Sequence, residues 1–158
     1  DENVTFEISS PDEAGRRHFV ITAEGIRSSF PAVEQLVNTA PQLSRWTFVK
    51  YRQRAVELSI VEFDGMRIDP SDVHCVIVKD ENPSKVGILL FFDGYNEKQR
   101  NVFGNIGYLI LDQALGEYVV EMSVGVIEIF DRSSKYYLSA RPIGELGSYF
   151  DEVAQRNL

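Results

Sequence analysis

The chain has 158 residues, 44% of them hydrophobic and 25% charged; these proportions are close to those of globular proteins and predict a single domain over residues 1–158. The formal net charge of −8 repels phosphate groups, so we expect no general affinity for nucleic acid or for an anionic membrane surface. A lone cysteine, Cys75, excludes an internal disulfide and a cysteine-rich zinc site.

The first half of the chain predicts strands around one helix. Alternation of apolar and polar residues predicts strands over these segments: 3–8, 17–23, 46–53 and 56–63. Between Ser29 and Pro41 the apolar residues recur at helical spacing, with Ser29 as a cap and Pro41 as a stop. Asp64-Gly65 is typical of a hairpin turn.

The second half predicts a strand pair followed by helical segments. The strands are expected at 73–79 and 85–92, and a helix is expected from about Asn96 to Gly116. Residues 117–130 are rich in strand-forming residues, with a bulge or break near Gly125. A last helix is expected to begin near Pro142.

This order predicts an α+β fold, a mainly antiparallel sheet with two or three helices on one face. With the middle hairpin treated as an insertion, the remaining elements also fit a β-α-β-β-α-β core of ferredoxin-like type.

Asp112 stands inside the apolar run LILDQAL, at residues 109–115. At 100° per residue, however, it lies about 180° from Phe103, on a polar stripe opposite the core stripe of the helix. The stripe consists of Asn101, Asn105, Tyr108 and Asp112. An ordinary solvated face is the favoured interpretation, a recognition face comes second and a catalytic Asp112 last, so these four are candidate surface contacts.

Glu117 and Asp93 are the other acids from which a carboxylate site with Asp112 could be built. Paired carboxylates perform general acid–base chemistry. Glu117 follows Gly116 and is predicted to begin a strand, which leaves its orientation relative to Asp112 open.

Residues 45–54, RWTFVKYRQR, concentrate four cations with no acid. On a strand, Lys50, Arg52 and Arg54 share one face with Trp46 and Phe48. We favour core aromatics with cations paired to Glu57 or Glu62, ahead of contact with an acidic protein or a small anion, and ahead of nucleic acid.

His74 and Cys75 are adjacent, and strand alternation turns their side chains to opposite faces, so they do not form a nucleophile–base pair. Cys75 is expected in the core. Phosphate-loop, dinucleotide and nucleophile-elbow motifs are absent, as is any metal-ligand spacing. We therefore predict no cofactor, no metal and no catalytic residue.

Three segments resemble a group of uncharacterised bacterial proteins: FPAVEQLVNTAPQLSRWTFVKYRQR (30–54), GMRIDPSDV (65–73) and GYLILDQALGEYVVEMSVGVIEI (107–129). The resemblance implies a bacterial source and carries no activity with it. The predicted order of elements is also similar, at the level of fold alone, to ferredoxin-like regulators of ribonuclease activity.

Taken together, these patterns predict a soluble, non-enzymatic binding or regulatory domain that acts through contact with another protein. A small carboxylate-dependent hydrolase or small-ligand-binding enzyme is the alternative. No apolar run approaches the ~18–20 residues that span a bilayer. One thiol fits the reducing cytoplasm, and because the chain begins with Asp1 rather than Met, export after loss of a leader stays open. The oligomeric state is left open.

Overall fold

The computed structural model describes residues 1–156. The first sheet is formed by β1 (Thr5–Ile8), β2 (Arg17–Thr22) and β3 (Trp46–Lys50), in the order β1-β2-β3. β1 and β2 are antiparallel, whereas β3 runs parallel to β2 because the chain returns through α1 (Phe30–Asn38).

α1 packs on β2 and β3 through its apolar side. Pro31 lies in its first turn, where a missing N–H costs nothing. Phe30 and Val33 are buried against Ile21 and Ala23 of the sheet side. Burying such side chains stabilises the fold by roughly 1.5–3 kcal/mol each, and this contact forms one of the two hydrophobic clusters found within residues 1–156.

A short hairpin, β4 (Val61–Phe63) and β5 (Met66–Ile68), follows. Its turn is Asp64-Gly65, as predicted, and both residues have positive φ, 48° and 75°. That conformation favours Asn, Asp and Gly and matches the twist of the flanking strands.

The second sheet has the order β8-β7-β6-β9. Its strands are β6 (His74–Lys79), β7 (Val86–Phe92), β8 (Val124–Asp131) and β9 (Arg141–Pro142). β6 and β7 are antiparallel, but β7 and β8 are parallel, joined through α2 (Arg100–Leu115) and α3 (Glu117–Ser123). The larger hydrophobic cluster lies between this sheet, α2 and α4 (Leu146–Arg156).

The α+β prediction is confirmed, and the antiparallel pairings outnumber the parallel ones in the described residues. The bulge expected near Gly125 is present as a register shift between β7 and β8. The ferredoxin-like topology is not the one observed, because its strands would share one sheet. Here each helical crossover returns the chain to a parallel neighbour, and the strands before and after the hairpin lie in different sheets.

Two strand predictions were wrong over their first residues, although β4 and β8 lie within the predicted segments 56–63 and 117–130. Residues 56–60 form no strand, since that stretch runs as an irregular segment along the end of α2, where Ala55 N–H donates to the Gln113 carbonyl. Residues 117–123 form the helix α3 and not a strand. Their β-branched residues are helical because tertiary contacts at the Gly116 junction override a weak local preference.

Gly116 separates α2 from α3 with φ 86° and ψ 144°, a conformation close to glycine-only. A Cβ built there would lie 3.1 Å from Arg54 N and 3.2 Å from Arg52 O. The glycine therefore allows both the sharp bend between the helices and the close approach of the 52–54 backbone. This approach brings Glu117 and Asp112 next to Arg52.

Candidate binding cleft around Arg52 and Asp112

A cleft of about 510 Å³ lies between one face of the first sheet, the 52–61 segment and the end of α2. That volume is within the ~300–1,000 Å³ typical of small-molecule sites. Its apolar walls are formed by Val20, Val49, Ala55, Ile60, Val61 and Leu109. Its polar lining comprises Glu7, His18, Arg52, Gln53, Asp112 and Gln113.

Arg52 reaches the cleft because β3 ends early. Tyr51 has a positive φ of 59°, which turns the chain out of the sheet. The Arg52 guanidinium then hydrogen-bonds Glu7 at 2.6 Å and Glu24 at 2.8 Å. Burial opposes its charge, but the hydrogen bonds that it donates to Glu24 and Glu7 raise the pKa of Arg52 above its ordinary value. Arg52 is thus a permanently charged group already held by two carboxylates.

Asp112 is the third carboxylate beside this guanidinium, with Oδ2 3.7 Å from Arg52 Nη1. That distance is longer than a hydrogen bond. Only 16% of the Asp112 side chain is exposed. Burial raises the pKa of Asp112 to about 6, opposed by Arg52 and reinforced by Glu117 and Glu121. Asp112 is therefore a largely buried acid with incomplete compensation of its charge.

Glu117 is fully buried, with 0% of the residue exposed. Its oxygens accept hydrogen bonds from Thr22 Oγ1 at 2.5 Å and from the backbone N–H groups of Ala23, Gly25 and Arg52, each at 3.1 Å. Its own N–H donates to the Arg52 carbonyl at 3.0 Å. Glu117 thus fastens α3 to the chain that follows β2 and to the chain that follows β3. Because both oxygens are occupied, we assign it to the scaffold of the cleft.

The polar stripe predicted on α2 is divided in the structure. Asn101, Asn105 and Tyr108 are exposed and line a groove beside β8. Asp112 does not share their solvated face, and that interpretation of it was wrong. The 52–59 segment covers the outer side of the last turns of α2, where Ser59 N–H donates to Gln113 Oε1 at 2.6 Å. Helical periodicity identifies the face of α2 that is turned away from the hydrophobic core. It cannot show that another segment, distant in sequence, covers that face.

The predicted basic face is also divided. Lys50 ends β3, whereas Arg52 and Arg54 lie beyond the strand and no longer alternate with it. Arg54 forms a two-pronged ion pair with Asp151 of α4, at 2.8 and 3.0 Å. The prediction that Glu57 or Glu62 pairs with Arg52 and Arg54 was wrong. Both arginines pair with acids from distant parts of the chain, and Glu62 pairs with Arg67.

Asp93 is exposed in the turn after β7 and does not line the cleft. Cys75 is fully buried in the core, as predicted, and burial raises the pKa of its thiol to about 12. His74 lies on the other face of β6, packed edge-on to Tyr137 at 5.3 Å between ring centroids. Residues 1–156 contain no group of three or more His, Cys, Asp or Glu side chains placed to hold a metal ion.

A second feature is the aromatic row, which we define as Phe6, Phe19, Trp46 and Phe48; Phe6 is exposed and the other three are partly buried. The Phe6 ring stacks on Phe19 with centroids 4.9 Å apart, and Phe19 contacts Phe48 and Trp46 at 5.5 and 6.2 Å. α1 packs over β2 and β3, whereas β1 at the sheet edge lies beyond it. Phe6 is consequently 61% exposed. The sequence marked Trp46 and Phe48 as core but gave no indication that the row continues onto an open strand.

The chain matches no protein-family model, no curated protein and no solved structure. The resemblance to uncharacterised bacterial proteins therefore stays a prediction. Among the described helices, none combines the length and apolar character needed to cross a bilayer.

Proposed function

We propose that the protein is a non-enzymatic binding domain that contacts another protein through the aromatic row. The observation that carries this proposal is the 61% exposure of Phe6, a large apolar ring at the open edge of the first sheet. Ile8, on the same strand, is 48% exposed. Contiguous exposed apolar surface is typical of protein contact sites, and aromatic residues are enriched at their centres.

The charges beside the row indicate the chemistry of the partner. In the strand register Arg17 lies opposite Trp46, and Lys50 lies opposite Ile21, which places both cations on the same sheet face as the row. Arg45, just before Trp46, is exposed. We therefore expect a partner with an apolar centre flanked by carboxylates, despite the acidic charge of the whole chain.

Site-specific photo-crosslinking in cells of the source organism tests this function. A photoreactive phenylalanine analogue placed at position 6 should capture a discrete partner species. The same analogue at position 126 is the control, because Val126 is also an exposed apolar residue, 49% exposed, but lies on β8 of the other sheet. The species should be lost when Ile8→Ser is added. Equal capture from positions 6 and 126, or none from position 6, would contradict the proposal.

A second candidate function, a small-ligand site, is favoured by a different observation: the cleft brings Asp112 and Glu7 onto one guanidinium within apolar walls. Convergent polar groups in an apolar concavity, one of them with a shifted pKa, are the usual signature of such a site. A hydrolase would require Asp112 to work with Glu7, because the oxygens of Glu117 accept hydrogen bonds from the scaffold. Binding is thus better supported than hydrolysis.

A further inference from the structure

We propose that the cleft binds a small organic cation, an ammonium group carried on an apolar body. The inference rests on the second candidate function, that the cleft is a ligand site, and adds the chemical class of the ligand.

The shape of the cleft defines the apolar part of the ligand. The cavity is lined by Val20 and Val49 of the first sheet, by Leu109 of α2, and by Ile60 and Val61. These side chains can form dispersion contacts with a ligand and bury its apolar surface, and they contain no hydrogen-bond donor or acceptor. A cavity of about 510 Å³ has room for a ring or a short alkyl chain together with a polar head.

The charges around Arg52 define the head group. One guanidinium meets Glu7, Glu24 and Asp112, so acids exceed bases among the groups that meet there. Its Nε and Nη2 already donate to Glu7 and Glu24. An anionic ligand would have to approach Nη1 beside the Asp112 carboxylate, and it would bring a further negative charge to a site that already has a surplus.

Asp112 is the group with capacity for a new partner. Its carboxylate is largely buried, and its ion pair with Arg52 is too long for a hydrogen bond. An ammonium group in the cleft would donate a hydrogen bond to Asp112 and bring the opposite charge. The attraction between the two charges is stronger in a largely buried site than in water.

The ligand is a free small molecule and not a side chain of the protein partner proposed above. In the strand register Glu7, Val20 and Val49 alternate with Phe6, Phe19 and Phe48, so the cleft lies on the opposite face of the first sheet from the aromatic row. A protein bound to the row would therefore not fill the cleft.

The test uses the full chain and three probes with the same apolar body: 2-phenylethylammonium, 2-phenylethanol and 3-phenylpropionate. Binding is followed by amide NMR shifts and by titration calorimetry at pH 7.5. We expect saturable shifts at Arg52, Gln53 and Gln113 with the ammonium compound, and weaker binding of the alcohol and the carboxylate.

Asp112→Asn should lower the affinity for the ammonium compound by about tenfold, whereas Asp93→Asn should leave this affinity unchanged. The second variant removes the same charge from an exposed acid outside the cleft. Leu109→Ser should lower the affinity for all three probes, because it removes apolar contact surface from the cleft and leaves its charges unchanged.

The outcomes separate the ligand class from the existence of the site. If the alcohol or the carboxylate binds best, or if Asp93→Asn and Asp112→Asn have equal effects, the organic cation is overturned and the cleft remains a ligand site. If none of the probes shifts the cleft amides at about 10 mM, both the cation and the small-ligand function are overturned. The aromatic row is unaffected by either result.

Discussion

Glu117 accepts a hydrogen bond of 2.5 Å from Thr22, a residue 95 positions earlier in the chain. The bond joins the first residue of α3 to the end of β2, and both residues are fully buried. Three backbone N–H groups complete the shell of the carboxylate. This contact fastens α3, which leads directly into β8 of the second sheet, to the end of β2 in the first sheet, beside the cleft.

Glu117→Gln should lower the free energy of unfolding by about 2–4 kcal/mol. The amide keeps the shape, but its NH₂ group replaces one oxygen and faces donors, which leaves buried N–H groups unsatisfied. Chemical denaturation at pH 7 measures the loss. Glu128→Gln, the same change at an exposed residue of β8, should stay within about 0.5 kcal/mol of the original protein. Equal effects of the two changes would refute a fastening role for Glu117.

Two glycine-to-alanine changes at α2 should have opposite signs. Gly116→Ala places a Cβ about 3 Å from backbone atoms of residues 52–54 in a conformation that disfavours side chains, so we expect a loss of about 2 kcal/mol or more. Gly104→Ala, inside α2, meets nothing within 4 Å and should gain about 0.5–1 kcal/mol from helix propensity. Thermal unfolding of the pair provides the check, and a tolerated alanine at position 116 would contradict the junction described above.

Asp112 should make stability depend on pH. Its pKa in the folded chain is about 6, above the ordinary 3.8, so the folded state holds a proton that the unfolded chain releases between about pH 4 and 6. The stability that this proton supplies is fully present below pH 4 and is lost as the pH rises through about 6.

Asp112→Asn removes this titration. Its stability relative to the original protein should increase by about 1–3 kcal/mol between pH 4 and 6 and then stay level. The other charged groups near this site, Arg52, Glu7, Glu24, Glu117, Glu121 and His18, are common to both chains, so comparing the two isolates the contribution of Asp112. Urea titrations across the range measure the difference, and a difference that does not change with pH would argue against a raised pKa.

Cys75 should be inert while the chain is folded. The thiol is fully buried and burial raises its pKa to about 12, so at pH 8 the thiolate that reacts with disulfide reagents is scarce as well as inaccessible. We expect an aromatic disulfide reagent to react at least about a hundredfold more slowly with the native chain than with the urea-unfolded one. Rapid labelling of the native thiol at pH 8 would show that the core around β6 opens readily.

The sequence by itself determined most of the elements and the fold class. The apolar runs of β6 and β7, the apolar stripe of α2, the stop at Gly116 and the Asp64-Gly65 turn are local signals, because each depends on residues a few positions apart. For the same reason the burial of Cys75 could be predicted from the strand alone.

Only the tertiary structure decided what happens to Asp112, Glu117 and Arg52. Helical geometry placed Asp112 opposite the core of its own helix, and it is buried there because a segment more than 50 positions away covers that side. Glu117 is helical because the backbone near Arg52 and Gly25 supplies its hydrogen bonds. The cleft forms where parts of the chain that are distant in sequence meet. Local periodicity cannot predict such long-range packing, because it depends only on residues a few positions apart.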